Sequence, residues 1–177
     1  QVAPDAVFSL NVSFASACDP EWLAKLAHAL MARPEFAKRL IIEITESYAA
    51  DSLTEAQNFI TAVKDLGCRV ALDDFGAGFT SFRNLKRLPF DIIKIDGQFA
   101  DNLQSNRENQ KFIKALVDLA SLFDAKTVVE WVEDDATTDM VCDWGVDYLQ
   151  GFVFGKPSRT LPWPVQKDPR KRLFNAN

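Results

Sequence analysis

A chain of 177 residues, 47% hydrophobic and 25% charged, suits one globular domain or a large part of one. A net charge of −5, with no Lys/Arg block able to track a phosphate backbone, argues against duplex nucleic acid as a partner, although metal ions can let an acidic site hold a small phosphodiester. Cys18, Cys68 and Cys142 are odd in number and widely spaced, which argues against a disulfide framework or a zinc ribbon; each is expected to pack as a small buried residue.

The apolar runs are too short to span a bilayer and no signal peptide opens the chain, so a cytoplasmic setting is expected, within a parent protein that can itself be membrane-anchored. The chain begins at Gln1 without Met and reads as a piece of something longer.

Short apolar runs alternate with amphipathic stretches. Residues 6–12 form a first strand, and Asp19-Pro20 opens a helix carrying Trp22, Leu23, Leu26 and Leu30 on one face. Residues 40–45 form a second strand. Ser52 with Glu55 three residues on reads as a capping box, before a helix whose apolar face is Phe59, Ile60, Val63 and Leu66 and which Gly67 ends. Residues 69–74 and 91–95 form the third and fourth strands, and residues 106–123 a long amphipathic helix. A fifth strand covers 126–130, a helix 136–144 and a sixth strand 146–150. Beyond Pro157 the chain turns basic and irregular, which divides it into a domain over 1–158 and a tail or linker over 159–177. Strands and helices that alternate in this way form parallel βα units, and strands that are apolar on both faces are covered on both. The repeat fits either an open doubly wound sheet or most of a (β/α)8 barrel; no Gly-rich phosphate loop follows the first strand.

The polar residues of these strands gather at their C-terminal ends: Asn11, Glu43 and Glu46, Asp73 and Asp74, Lys94, Glu130, Gln150. In a barrel those ends form the catalytic face. Asn, Glu and Asp oxygens are hard ligands that suit Mg²⁺ or Mn²⁺ rather than zinc. Adjacent side chains on a regular strand point to opposite faces, so Asp73 and Asp74 reach one site only where the strand breaks; Phe75-Gly76-Ala77-Gly78 is expected to supply the break. Lys94 adds a cation for a phosphate oxygen or hydroxide, and Glu130 is a ligand or a general base. The summed chemistry is attack of water on a phosphodiester with two metals flanking the nucleophile.

Asp73-Asp-Phe-Gly-Ala-Gly-Phe-Thr-Ser81 resembles the DDFGTGYSS loop of EAL-domain phosphodiesterases. Asn11-Val-Ser13 is similar to their NxS motif and Glu43-Ile-Thr-Glu46 to ExTE. Residues 88–96 resemble LPxDxxKID, Val129-Glu-Trp-Val-Glu133 resembles AEGVE, and 149–157 resemble the closing QGYxFxxP. The resemblance implies a modified TIM (β/α)8 barrel, incomplete at the N-terminus, that hydrolyses cyclic di-GMP to the linear dinucleotide with Mg²⁺ or Mn²⁺ at a two-metal site inhibited by Ca²⁺. By the same resemblance Asn11, Glu43, Asp73, Asp74 and Glu130 would bind metal. Lys94, Glu130 and Asp74 would carry the catalysis, and Gln150, Asp96 and Pro157 would meet substrate. Glu46 and Glu133 would support loops. The Asp73–Ser81 loop would contribute to a homodimer, and a sensory or cyclase domain would lie upstream.

The sequence departs from the family pattern in places. The Glu-Ala-Leu motif that names the family does not occur, so the resemblance covers roughly the last two-thirds of such a domain. Trp131 stands where AEGVE has Gly, and is expected to crowd the metal face; Gly97 stands where Arg usually follows KID, and Phe79 replaces Tyr. These departures motivate an alternative reading as a catalytically silent cyclic di-GMP receptor or a protein-docking module. His28 and the aromatics Phe79, Phe82 and Phe90 are read as structural.

Overall fold

The computed structural model describes residues 6–78 and 85–158. Six strands form one sheet: β1 (Phe8–Asn11), β2 (Leu40–Thr45), β3 (Arg69–Phe75), β4 (Ile92–Ile95), β5 (Lys126–Val129) and β6 (Tyr148–Leu149). All five pairings are parallel, and the spatial order follows the chain order from β1 to β6. This order decides between the two architectures left open by the sequence. A doubly wound sheet reverses direction at a switch point. Here each crossover advances to the next neighbour, and right-handed crossovers that all advance one way place every helix on one side of the sheet. The result is an arc of a (β/α)8 barrel, with helices outside and a second face turned inward.

The residue pattern agrees with two faces of different kind. Ile42, Ile44, Val70, Leu72, Ile93, Ile95, Val129 and Leu149 belong to the main core with the helices. Ile41, Ala71, Ile92 and Val128 alternate with them and form a separate small cluster against Tyr148 on the inner face.

Among the described residues, four longer helices pack on the outer face, and two short ones follow strands. In α2 (Pro20–Ala32) Asp19 accepts from the Glu21 N–H and Pro20 takes the first turn. Helix α4 (Leu53–Asp65) buries Ala56, Phe59, Ile60 and Val63, one stripe at helical spacing, and the left-handed Gly67 follows it. Its Ser52 makes no side-chain cap bond, because the residue is not in the extended conformation that a capping box needs; the capping-box expectation is corrected. Asn106 caps α5 (Arg107–Leu122) through the Glu108 and Asn109 N–H groups, and Asp134 caps α6 (Asp135–Asp143) through Thr137. Two short helices, α1 (Phe14–Ala17) and α3 (Glu46–Asp51), differ from the expected pattern; two residues separate α1 from β1 and α3 directly follows β2, each starting through a hydroxyl cap, Ser13 and Thr45. Of the cysteines only Cys68 is buried; Cys18 and Cys142 are exposed, which corrects the expectation that all three pack inside.

At the N-terminal ends of the strands one device appears twice. Asp91, before β4, accepts the Val70 N–H at 2.8 Å and pairs with Lys64. Asp147, before β6, accepts the Thr127 N–H at 3.0 Å and pairs with Lys126. A carboxylate that takes a neighbouring strand's N–H fixes register, and register decides which side chains reach the inner face.

Candidate functional site

One pleat above the inner apolar layer, towards the C-terminal strand ends, the inner face changes from apolar to charged. Glu43 follows Ile41, Asp73 follows Ala71, Lys94 follows Ile92, Glu130 follows Val128 and Gln150 follows Tyr148, each two residues on and therefore on the same face. Asn11 sits beside Glu43 in the β1–β2 register and is exposed at the edge.

Lys94 is the centre of this layer. Its ammonium donates to Glu43 Oε2 at 2.9 Å and Asp73 Oδ1 at 2.6 Å, and pairs with Glu130 Oε1 at 2.8 Å. Three carboxylates account for the three N–H donors of one lysine. The group is dry: Lys94 is 2% exposed, Glu43 1% and Glu130 6%. Burial pulls the Lys94 ammonium down, but the charges of Glu130, Glu43 and Asp73 outweigh it and hold the group above the ordinary lysine value. Burial pushes Glu130 up to about 7 against the opposing pull of Lys94, with Asp73 and Asp74 adding repulsion. Burial also raises Asp74, with the charges of Asp73 and Asp96 in support.

Asp73 and Asp74 reach the same site through a bulge rather than a loop. The β3–β4 register runs Leu72 against Ile93 and then Phe75 against Ile95, so β3 carries one residue more than its partner. Asp74 takes the extra place with φ +55. The strand itself continues to Phe75, so the break lies at Asp74 and not in the glycine segment expected from sequence. The oxygens of Asp73, Asp74 and Glu130 lie within 4.8 Å of one another.

This layer has the chemistry of a hard-cation site. Four carboxylates face one ammonium, and Glu43 Oε1 and Gln150 Oε1 are buried with no hydrogen-bond partner. An unpaired buried carboxylate oxygen such as Glu43 Oε1 is costly, and a divalent cation would satisfy it. The residues present therefore fit Mg²⁺ or Mn²⁺ by donor type, without distinguishing the two.

The remaining candidates surround the layer. Glu46 Oε2 accepts the Gly76 N–H at 2.9 Å and the Gly78 N–H at 3.0 Å, across the segment that follows the bulge. Asp96 accepts from the Gln98 N–H and caps the 3₁₀ turn Gly97–Phe99. Glu133 and Pro157 are exposed. Residues 79–84, which include Phe79, Phe82 and the end of the Asp73–Ser81 loop, lie outside the described residues, as does the 159–177 tail; Phe90 is buried in the core.

The sequence shows Gly97 and Trp131 as two separate departures, and the structure joins them. Trp131, 64% exposed, has φ +54, and a Cβ on Gly97 would lie 2.1 Å from its Cγ and 2.2 Å from its Cδ2. The ring therefore lies against the Gly97 α-carbon. No pattern in the linear sequence links positions 97 and 131.

The EAL domain family model matches residues 1–157. The cyclic di-GMP phosphodiesterase PdeF of Escherichia coli K12 is 35% identical over 150 residues, which is 85% of this chain and 20% of that protein. The chain thus spans about a fifth of the length of this curated relative. Among solved structures, the FimX EAL domain from Pseudomonas aeruginosa bound to c-di-GMP superposes with a TM-score of 0.83 at 29% identity, over 90% of this chain and 65% of that one. An EAL domain protein from Listeria monocytogenes gives 0.76 at 32% identity, over 85% and 60%. No helix of the described residues is long and apolar enough to cross a membrane.

Proposed function

The chain belongs to the EAL-domain family, and from that premise we propose that it is a metal-dependent phosphodiesterase that opens cyclic di-GMP to the linear dinucleotide pGpG. The observation that carries this reading is the Lys94 ammonium clasped by Glu43, Asp73 and Glu130, beside buried Glu43 and Gln150 oxygens left without partners. A structural ion pair does not need three acids for one base or leave a buried oxygen idle.

In this reading Asn11, Glu43, Asp73, Asp74 and Glu130 would hold a pair of Mg²⁺ or Mn²⁺ ions. When bound, such cations polarise the phosphodiester and activate water. The chain's own groups do the rest. Lys94 keeps its charge at neutral pH and steadies both the carboxylates and the attacking water. Glu130, whose oxygen lies with those of Asp73 and Asp74, would accept that water's proton. The water oxygen bonds to one phosphorus, the P–O3′ bond breaks, and the freed 3′ oxygen takes up a proton. Gln150, whose Oε1 is buried without a hydrogen-bond partner, would offer an acceptor to the water or the substrate, with Asp96 and Pro157 at the periphery. Glu46 holds the segment after Asp74 through two N–H groups, and Glu133 supports the neighbouring loop. Ca²⁺ in place of Mg²⁺ or Mn²⁺ permits binding without turnover. A homodimer through the Asp73–Ser81 loop and an upstream sensory or cyclase domain belong to the same proposal.

The test is incubation with cyclic di-GMP and Mn²⁺ or Mg²⁺, followed by chromatographic separation of the nucleotides. Linear dinucleotide that forms with either ion, and stops with EDTA or Ca²⁺, supports the phosphodiesterase. Cyclic di-GMP bound but uncut with every ion would replace it with the silent receptor.

A further inference from the structure

Among the exposed apolar groups that follow the strands' C-terminal ends, Trp131 is the most exposed, above Phe14 and Phe152. Trp131 follows the buried Glu130 directly, yet the residue is 64% exposed. Its φ of +54 is a conformation that bulky residues rarely take and that costs energy unless something holds it. Two features hold it here. Gly97 lacks the Cβ that would collide with the ring at 2.1 Å, so the indole rests on bare backbone. The backbone on the other side is stitched to the next loop, with the Val132 N–H donating to Gln150 O at 3.0 Å and the Val153 N–H to Val132 O at 3.2 Å. Gly151 permits this approach, since a Cβ there would lie 2.0 Å from Val132 O. The ring is therefore fixed in place, exposed, and next in sequence to a residue of the acidic layer.

We propose that Trp131, seated on Gly97, is a stacking platform for one purine base of the nucleotide whose phosphodiester lies over Glu43, Asp73 and Glu130. This rests on the cyclic di-GMP reading above and adds to it a base-binding residue. A fixed indole presents a π-face to a base at small entropic cost, and stacking of one base on an aromatic ring is a sequence-tolerant source of affinity. The pairing of Gly97 with Trp131 then has a functional reason, because any side chain at 97 displaces the platform.

Cyclic di-GMP binding is measured by calorimetry in Ca²⁺, which keeps the nucleotide uncut, alongside thermal melts. Trp131→Gly suits the left-handed backbone and is expected to melt no lower than wild type while binding roughly 10- to 100-fold more weakly. Trp131→Leu keeps apolar bulk without a π-face and is expected to weaken binding similarly, whereas Trp131→Phe stays within about threefold of wild type. Gly97→Ala weakens binding when Trp131 is present and adds nothing in the Trp131→Gly background. Wild-type affinity in Trp131→Leu or Trp131→Gly overturns the platform and leaves the cyclic di-GMP reading intact. A wild-type protein that binds no cyclic di-GMP overturns both.

Discussion

Lys94 is held by three acids, and the consequences of that ratio are measurable. Replacing it with Met leaves Glu43, Asp73 and Glu130 buried together without their common cation, a loss of ~3–5 kcal/mol. Lys94→Met is therefore expected to melt far below wild type in EDTA and to regain more stability than wild type on addition of Mn²⁺; equal melting of the two proteins in EDTA would contradict the assignment. Glu130 gives a pH signature. Its folded-state value of about 7 lies above its ordinary 4.5, so between those values the folded protein keeps a proton that the unfolded chain has lost. Stability is then greatest below the ordinary value and falls as pH rises through about 7, by on the order of 3 kcal/mol. Glu130→Gln cannot ionise. In EDTA, its melting temperature is expected to drop less than that of wild type between pH 5 and 8, while its turnover collapses; parallel melting curves would rule out the raised carboxyl. At this scale the sequence was informative about residue type, because hard oxygen donors at successive strand ends name their own chemistry. It was silent on contacts. That one lysine answers three acids, or that Trp131 rests on Gly97, depends on closures between positions far apart in the chain.

The strands and helices show where pattern reading succeeds and where it stops. The second strand was read at its observed bounds, since a run of Ile flanked by polar ends has one reading. The sixth strand is shorter than the expected 146–150, Tyr148–Leu149: at its start the Val146 N–H turns back to Val141 O, and at its end Gln150 O accepts from the Val132 N–H. The break in β3 lies at Asp74, just before the segment Phe75–Gly78 where the sequence leads one to expect it. Asp73-Asp74-Phe75 contains no glycine, and the glycines that follow drew the prediction toward themselves. The left-handed Asp74 makes a clear prediction. Asp74→Gly removes the conformational cost and is expected to be neutral or up to ~1 kcal/mol more stable, yet to lose at least ~100-fold in turnover with its carboxylate. Glu46→Ala strands the Gly76 and Gly78 N–H groups and is expected to cost ~1–3 kcal/mol, with a raised KM from the loosened Asp74 segment. Melting curves and steady-state kinetics on both variants check these outcomes; an Asp74→Gly enzyme with wild-type turnover would remove Asp74 from the site.

In the molecule as a whole, the sheet order turns a set of separate strand ends into a single charged mouth. Among the described residues β1 pairs only with β2 and β6 only with β5, and Val7, Leu10 and Phe14 are exposed near the β1 edge. Free parallel edges beside apolar side chains are templates for association. The 177-residue chain by itself is expected to self-associate as its concentration rises, which light scattering coupled to gel filtration measures; a strict monomer at every concentration would show that the edges are covered. Alternation of strands and helices made the parallel fold legible from sequence, but the choice between barrel arc and doubly wound sheet was not, because both repeat the same unit and differ only in which neighbour each crossover reaches.

The Lys94 layer is proposed to hydrolyse a phosphodiester. The most direct test is to run cyclic di-GMP hydrolysis with Mn²⁺ in ¹⁸O-water and weigh the product by mass spectrometry, for wild type and Asp73→Ala. Linear dinucleotide carrying one ¹⁸O on its 5′-phosphate, formed by wild type and absent with Asp73→Ala, is the predicted result. Labelled product at the same rate from both proteins would place the chemistry elsewhere.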